Sequence, residues 1–587
     1  MKEHSPQALV DLASQYLQEE PDALYRQEIQ KLLSMFATDL KARLELADRL
    51  VGFLQFGTAG LRAKMQAGYR RFNRVSISKA AFAVGQYLQN SVSLSKEVHK
   101  KGVVIAYDAR HNSKICAEES ASVLTGLGFN VFLFPDMVPT PLCAFAVTHL
   151  KAAMGIMITA SHNPALDNGF KVYGGNGAQI VMPVDEQIEQ WMQKAPSYYS
   201  MPHLEISEQI QKKLRSMITE ETSLAYFDAI KKSGFHQPKD GADIRIVYTP
   251  LHGVGKIFAK RALFDAGFTQ IEFVKSQAEP DGDFPTVIFP NPEEAGVLDE
   301  AIALANQVNA DLVLANDPDA DRLAVLVRHP QTGQLQSLSG NDVGVLLGFD
   351  AISHAKTGNK RPLVISTLVS SRMLSQIAKS TGVDYTETLT GFSKIAQAGM
   401  IKEDHENAQF IFGYEEALGY CVGNFVRDKD GISAAVRFME MFAALREKKQ
   451  SVFDALDALA MRYGLFRGLQ WSIRFDGINA SHHMQALMKN LRENSDLIPS
   501  LGGKAILTRD DFLEKTEINL QDNILVYSTE NQTRLIVRPS GTEPKIKFYL
   551  ETVQDATKND DLNIQRAKAD EFLKNMQTQI TKQLNLS

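Results

Sequence analysis

Several times along the chain an apolar run of strand length stops abruptly at a knot of polar residues, and a helical pattern follows. The run 152–158 feeds into Thr159-Ala160-Ser161-His162-Asn163-Pro164. It is too short for a core helix, and Asn-Pro ends regular structure because proline lacks an N–H and restricts the residue before it. Runs at 103–107 (ending at Asp108), 131–134, 244–248, 311–315 and 363–367 behave the same way, and helical stretches near 80–88 and 433–449 lie between or after them. Short apolar strands alternating with helices predict mostly parallel sheets, whose ligands gather at the carboxyl ends of the strands.

At 587 residues the chain is too long for one core, so three to five domains are expected. The α/β texture restarts twice without a close sequence repeat, which predicts three related mixed α/β domains. Beyond residue 466, strand-like segments (469–475, 524–527, 534–537, 545–550) mix with helices at 482–493 and 565–584, an α+β pattern. At the other end, Ser5-Pro6 opens a helix over 6–19, with Leu9, Leu12, Tyr16 and Leu17 on one face. A second helical run follows over 22–54, and the polar stretch 197–213 reads as a connection. The expected division is a helical extension (1–44), α/β domains at 45–213, 214–335 and 336–465, and an α+β domain at 466–587.

The net charge of −6 argues against a nucleic-acid partner, which needs a basic face, but allows a local basic pocket for a small phosphorylated ligand. Cys116, Cys143 and Cys421 are far apart and form no C-x-x-C pair, as expected for reduced thiols without a zinc site. Met1-Lys2-Glu3-His4-Ser5-Pro6 lacks the apolar core of a signal peptide, and no apolar run is long enough to span a bilayer. A cytoplasmic protein without a membrane partner is the expectation.

The polar knots carry the chemistry. Ser161 stands at a strand end, where a serine can offer its hydroxyl to a cleft, although such serines mostly cap backbone groups. Asn316-Asp317-Pro318-Asp319-Ala320-Asp321-Arg322 places three carboxylates within five residues, which calls for a cation among them. Oxygen-only ligands suit Mg²⁺ or Mn²⁺. A calcium EF-hand loop fails, because counting from Asp317 the sixth position is Arg322 where glycine is needed and the twelfth is Arg328 where glutamate is needed. Gly253-Val254-Gly255 has Phe258 at the third glycine position, and Gly255-Lys256 is followed by Ile257, so neither a dinucleotide fingerprint nor a P-loop is complete. Phe56-Gly57-Thr58-Ala59-Gly60-Leu61-Arg62 offers a glycine turn beside an arginine. Arg538-Pro539-Ser540-Gly541-Thr542-Glu543-Pro544-Lys545 supplies hydroxyls, N–H groups and cations, the parts of a phosphate clamp. A serine, a divalent cation and a remote phosphate site suit phosphoryl transfer through the serine.

These motifs, in this order, resemble the α-D-phosphohexomutase superfamily (phosphoglucomutase/phosphomannomutase) over about 45–552. Residues 159–164 resemble the phosphoserine loop, 317–322 the metal loop, 413–420 (Gly413-Tyr414-Glu415-Glu416-Ala417-Leu418-Gly419-Tyr420) the sugar loop, and 538–544 the phosphate loop. The resemblance implies three α/β domains and a C-terminal α+β domain around a central cleft. It also implies a phosphorylated Ser161 that binds one Mg²⁺ together with Asp317, Asp319 and Asp321, and a sugar bisphosphate as intermediate and activator. Lys171 matches the proton-transfer position, with His162 and Arg62 nearby. Arg322, Thr390, Glu415, Lys429, Arg538, Ser540, Gly541 and Thr542 match ligand contacts. The partner implied is a small phosphosugar, met by a monomer or weak homo-oligomer.

Two departures bear on the substrate. Ala417 stands where the family's sugar loop usually has serine, as in the subgroup that includes phosphopentomutases and glucose-1,6-bisphosphate synthases. Ser393 stands where lysine usually follows the glycine turn, with Lys394 next. The expected activity is interconversion of glucose 1-phosphate and glucose 6-phosphate. Phosphopentomutase and phosphomannomutase activities are the alternatives within the class, and a non-catalytic sugar-phosphate-binding protein that keeps the fold and a metal-dependent phosphatase are the alternatives from other classes.

Overall fold

The computed structural model describes residues 5–57, 60–91, 97–236, 243–355, 358–475, 480–515, 521–540, 545–556 and 561–586. The chain divides into two compact units, residues 1–338 with 419–443, and residues 339–418 with 444–587.

The first unit holds two mixed sheets. In the first, the strands Val103–Tyr107, Val131–Leu133 and Met154–Ile158 run parallel, and Asp167–Gly174 and Leu61–Lys64 add an antiparallel edge. The three central strands are almost wholly buried and read as continuous apolar runs because helices cover both faces. In the second sheet, Ile246–Thr249 and Leu312–Ala315 are parallel neighbours, and Ala324–Arg328 and Leu335–Leu338 return antiparallel. Both sheets therefore deliver their parallel strands' carboxyl ends to polar loops, as the sequence pattern predicts.

Two expectations need correction. The helical run predicted over 22–54 is two helices, Ala23–Met35 and Leu40–Leu50. Asp39 breaks it by turning its carboxylate back to cap the Lys41 N–H. The stretch 197–213 is more than a connection. It contains the helix Ile206–Gln211, buries Tyr198 and Gln209, and leads into the strand Arg215–Met217, which pairs in parallel with Val131–Leu133 at the sheet edge. Its polar composition hid this because an edge strand needs little apolar surface. The helix Pro6–Glu19, capped by Ser5 as predicted, packs with its two successors against the first sheet's domain. Tyr16, Ile29, Leu46 and Leu50 share a core with Tyr69, Val75 and Tyr198, and a buried Lys79–Glu19 pair at 3.1 Å ties the extension down.

In the second unit, Arg361–Thr367 pairs in parallel with both Asp384–Thr388 and Ala408–Glu415, between the helices Gly340–Ser353, Met373–Thr381 and Phe392–His405. The C-terminal segment is an antiparallel sheet in the order Leu465–Arg474, Lys545–Gln554, Arg534–Pro539, Leu525–Thr529, Lys504–Asp511. The helices Ala480–Glu493 and Leu562–Gln583 cover one face through Met488, Leu491, Leu573, Met576 and Ile580.

Candidate active site

In the first unit, Ser161 leaves the strand Met154–Ile158 through a turn that puts its own backbone at φ 54°, a left-handed conformation rare for a residue with a Cβ. Arg110 holds that turn in place. It is fully buried, and its guanidinium donates to the carbonyls of Ser161, Asn163, Pro164 and Asp167. Beneath it, Asp108 accepts from Thr159 Oγ1 at 2.6 Å, and Thr159 Oγ1 in turn accepts the Ser161 N–H at 2.9 Å. Strain of this kind persists only where the surroundings over-determine it, and it gathers at functional sites.

The Ser161 hydroxyl has one proton to give. It goes to Asp317 Oδ2 at 2.8 Å, which leaves His162 Nδ1, 3.1 Å from Ser161 Oγ, as donor to that hydroxyl. Burial holds the His162 imidazole well below its usual range, with Arg322 and Arg62 adding to the effect, so it stays neutral. Arg62 reaches the turn through Asn163 Oδ1 at 3.1 Å.

The three aspartates leave the strand Leu312–Ala315 on a loop whose carboxylate oxygens come within 4.8 Å of one another, all buried. Lys171, on the antiparallel strand opposite Met157, donates to Asp319 Oδ2 at 2.7 Å and to Asp321 Oδ2 at 3.0 Å. Lys429 Nζ stands 3.3 Å from Asp321 Oδ2 and is only 7% exposed, so it is no surface ion pair. Burial and the other two carboxylates push Asp317 well above the usual range. Burial is the largest single influence on Asp319 and Asp321 too, joined at Asp319 by the Asp321 charge, but the lowering influences together, Lys171 and Thr140 at the first and Lys171, Lys429 and Arg322 at the second, outweigh it and hold both low. Lys171 and Lys429 ion-pair with Asp319 and Asp321, and Arg322 and Arg62 lie close enough to act on the group's charge. Among the described residues, Asp319 Oδ1 and Asp321 Oδ1 have no hydrogen-bond donor. Buried acceptors left this way are costly, and an oxygen-only set fits a hard divalent cation such as Mg²⁺.

The loop's path depends on missing side chains. A Cβ on Gly253 would lie 2.2 Å from Pro318 Cα, and one on Gly431 would lie 2.2 Å from the Arg322 carbonyl oxygen. The glycines of Gly253-Val254-Gly255 therefore serve close packing of the aspartate loop, which is why no nucleotide fingerprint is complete there. Arg322 spans towards Glu293 (3.6 Å) and Asp321 (4.0 Å). Asp428 fixes the segment carrying Lys429 by accepting from Tyr173 and Gln179, each at 2.8 Å.

In the second unit, Thr390 follows the strand Asp384–Thr388, and Gly391 then takes φ 112° to start the next helix. The Arg538 guanidinium, at the end of Arg534–Pro539, donates to Thr390 Oγ1. Glu415 is half-buried at the end of Ala408–Glu415, whereas its neighbour Glu416 is committed inward, accepting from Thr367 Oγ1 at 3.2 Å and Ser370 Oγ at 3.3 Å. Ser540 donates its N–H to the Lys545 carbonyl at 2.8 Å, while Gly541 and Thr542 lie outside the described residues. Ser393 is buried on its helix and Lys394 half-buried beside it.

Ser161, His162, Arg62, Lys171, Asp317, Asp319, Asp321, Arg322 and Lys429 thus converge in the first unit, and Thr390 meets Arg538 in the second. Sequence reasoning missed Arg110, Thr140 and Asp428. A strand-end Asp-Ala-Arg and the flanked threonine of Pro139-Thr140-Pro141 were the available signals.

Sequence profiles for phosphoglucomutase/phosphomannomutase alpha/beta/alpha domains I, II and III match residues 54–199, 224–333 and 339–463, and that for the C-terminal domain matches 488–568. The chain is 39% identical over 487 residues to a "Probable phosphomannomutase" of Haemophilus influenzae, covering 82% of this chain and 92% of that one. It is 36% identical over 533 residues to a phosphopentomutase of Mus musculus (85% and 83% covered), and 33% identical over 511 residues to a phosphoglucomutase of Staphylococcus epidermidis (85% and 90%). The crystal structure of pp63/parafusin from Paramecium, an open form, shares the fold with TM-score 0.65 at 18% identity, covering 90% of this chain and 95% of that one.

Proposed function

The chain belongs to the phosphoglucomutase/phosphomannomutase family and is a phosphomutase, and we propose that it interconverts glucose 1-phosphate and glucose 6-phosphate through a phosphorylated Ser161. The observation that carries the phosphoserine reading is the Ser161 hydroxyl, held in a strained turn 2.8 Å from the first of three buried aspartates. A group at that position can pass between the serine and a sugar hydroxyl without leaving the site.

In the forward step the bond from phosphorus to Ser161 Oγ breaks and a bond from phosphorus to the sugar hydroxyl forms, giving a bisphosphate. The other phosphate of that bisphosphate returns to the serine in the second step. The sugar hydroxyl's proton ends on Ser161 Oγ, and Lys171 is our candidate relay: its ammonium gives a proton to the departing Ser161 oxygen and is reprotonated from the attacking hydroxyl, and the second step reverses this. Asp319 and Asp321 hold its ammonium in place, and His162 orients Ser161 Oγ. Asp317, Asp319, Asp321 and the phosphoserine would hold Mg²⁺, which when bound neutralises charge on the phosphoryl oxygens. Arg322, Arg62 and Lys429 add fixed positive charge around the same oxygens. Arg538, Thr390 and Ser540 with Gly541 and Thr542 would hold the phosphate that is not reacting, and Glu415 the sugar hydroxyls.

A second reading, a phosphopentomutase, is favoured by Ala417, which removes a hydroxyl from the sugar loop, and by the relative of that name in Mus musculus. The test is kcat/KM for glucose 1-phosphate against ribose 1-phosphate, with Mg²⁺ and a trace of the matching bisphosphate. Preference for glucose beyond tenfold, about 1.4 kcal/mol of discrimination, supports the hexose reading. Preference for ribose transfers the assignment to pentoses. Full turnover by Ser161→Ala would refute the phosphoserine.

A further inference from the structure

Thr140 opens the helix Thr140–His149 and is completely buried. It makes two bonds to one residue of the aspartate loop: its N–H donates to the Asp319 carbonyl at 3.0 Å, and its Oγ1 donates to Asp319 Oδ2 at 2.6 Å. The flanking Pro139 and Pro141 have no N–H, so the helix start offers Asp319 this one backbone donor, and the helix's positive end faces the carboxylate.

Lys171 donates to the same oxygen, Oδ2, at 2.7 Å. A carboxylate's terminal torsion is soft and two-fold, so its two oxygens exchange freely unless donors distinguish them. Here both donors sit on Oδ2, and Oδ1 has none among the described residues. The lysine divides its charge between Asp319 and Asp321, whereas the one hydroxyl proton of Thr140 goes wholly to Asp319.

We propose that Thr140 is a positioning residue for the cation: by committing Asp319 Oδ2 it presents Oδ1 as the ligand atom and fixes the loop against the first domain. The inference rests on the reading of the aspartates as a cation site. It assigns catalytic influence to a residue that touches neither substrate nor ion.

The test is Mn²⁺ binding to the metal-free full-length protein, followed by calorimetry and by the electron-spin signal of free Mn²⁺. Thr140→Val keeps the shape and removes the donor, and Thr140→Ser keeps the donor. Loss of a partner that orients a metal ligand typically weakens affinity about 10–100-fold. T140V should therefore bind Mn²⁺ at least about tenfold more weakly and T140S close to wild type, while kcat of T140V recovers at saturating Mg²⁺. Should T140V not fold, Thr140→Ala carries the same comparison. A wild-type Mn²⁺ affinity in T140V, with only its melting temperature lowered, would overturn the assignment and leave Thr140 a structural staple. Equal losses in T140V and T140S would overturn it too. Failure of the wild-type protein to bind Mn²⁺ would overturn the cation reading itself.

Discussion

Replacing Gly253 by alanine puts one methyl group against the backbone of the aspartate loop. The added carbon would lie 2.2 Å from Pro318 Cα, 2.3 Å from its carbonyl oxygen and 2.5 Å from its carbonyl carbon. Carbon atoms pack comfortably at about 3.5–4.0 Å, so loop and strand end must separate by about 1 Å. No flexible side chain can absorb this, because every atom in the way belongs to the main chain. Pro318 lies between Asp317 and Asp319, so the displacement falls on the residues read as ligands. Overpacking of this kind costs about 1–3 kcal/mol of stability, which a domain of this size survives. A 1 Å misplacement around reacting groups costs about 100-fold in rate. G253A should therefore fold, melt a few degrees lower, and lose about 100-fold in kcat, together with Mn²⁺ affinity. Steady-state kinetics, thermal melting and Mn²⁺ titration on one preparation check this. Wild-type kcat and Mn²⁺ affinity in a folded G253A would refute the argument that loop position depends on the missing side chain.

Lys171→Met should lower kcat by about 10²–10⁴-fold, the range for loss of a proton-transfer group. It should also destabilise the metal-free protein by about 3–5 kcal/mol, since two buried carboxylates lose a shared cation. Denaturant melts without metal check the second part, and unchanged stability would contradict the pairing. Chelation of divalent cations should abolish turnover and lower the melting temperature, and Mg²⁺ at about 100 times its dissociation constant should restore about 2.7 kcal/mol. A melting temperature indifferent to Mg²⁺ would count against the site. Glu119 gives a pH test remote from catalysis. Burial opposes its ionisation, but His203, Arg74 and Ser78 outweigh that and hold it below its usual 4.5. A carboxyl depressed on folding stabilises the protein above its unfolded value and loses that contribution as the pH falls through its folded one. Glu119→Gln should cost about 2 kcal/mol at pH 7, with the gap from wild type narrowing below pH 4.5. A gap independent of pH would refute the linkage.

Much of the molecule was legible before any coordinates, because its strongest signals are local. Strand-length apolar runs such as 152–158 and 311–315 must be buried on both faces, and the polar knots that end them have to lie at sheet ends. The capped helix after Ser5, the parallel sheets, the three aspartates and the strand-end serine all follow from periodicity and from charge that is hard to bury without a cation. What the sequence left open turns on contacts between segments far apart in number. Arg110 bracing the Ser161 turn, Thr140 donating to Asp319, Tyr173 fixing Asp428 beside Lys429, and Gly253 making room for Pro318 each join stretches about 50 to 260 residues apart, so no window contains them. The N-terminal helices show the same division. Their apolar face was plain, but only the packed chain decided that it is covered by Tyr69, Val75 and Tyr198 of the first domain. Local pattern determines which groups must be buried or capped; only tertiary packing decides which partner satisfies each one, because a buried donor or acceptor takes whichever complement the fold brings within about 3 Å.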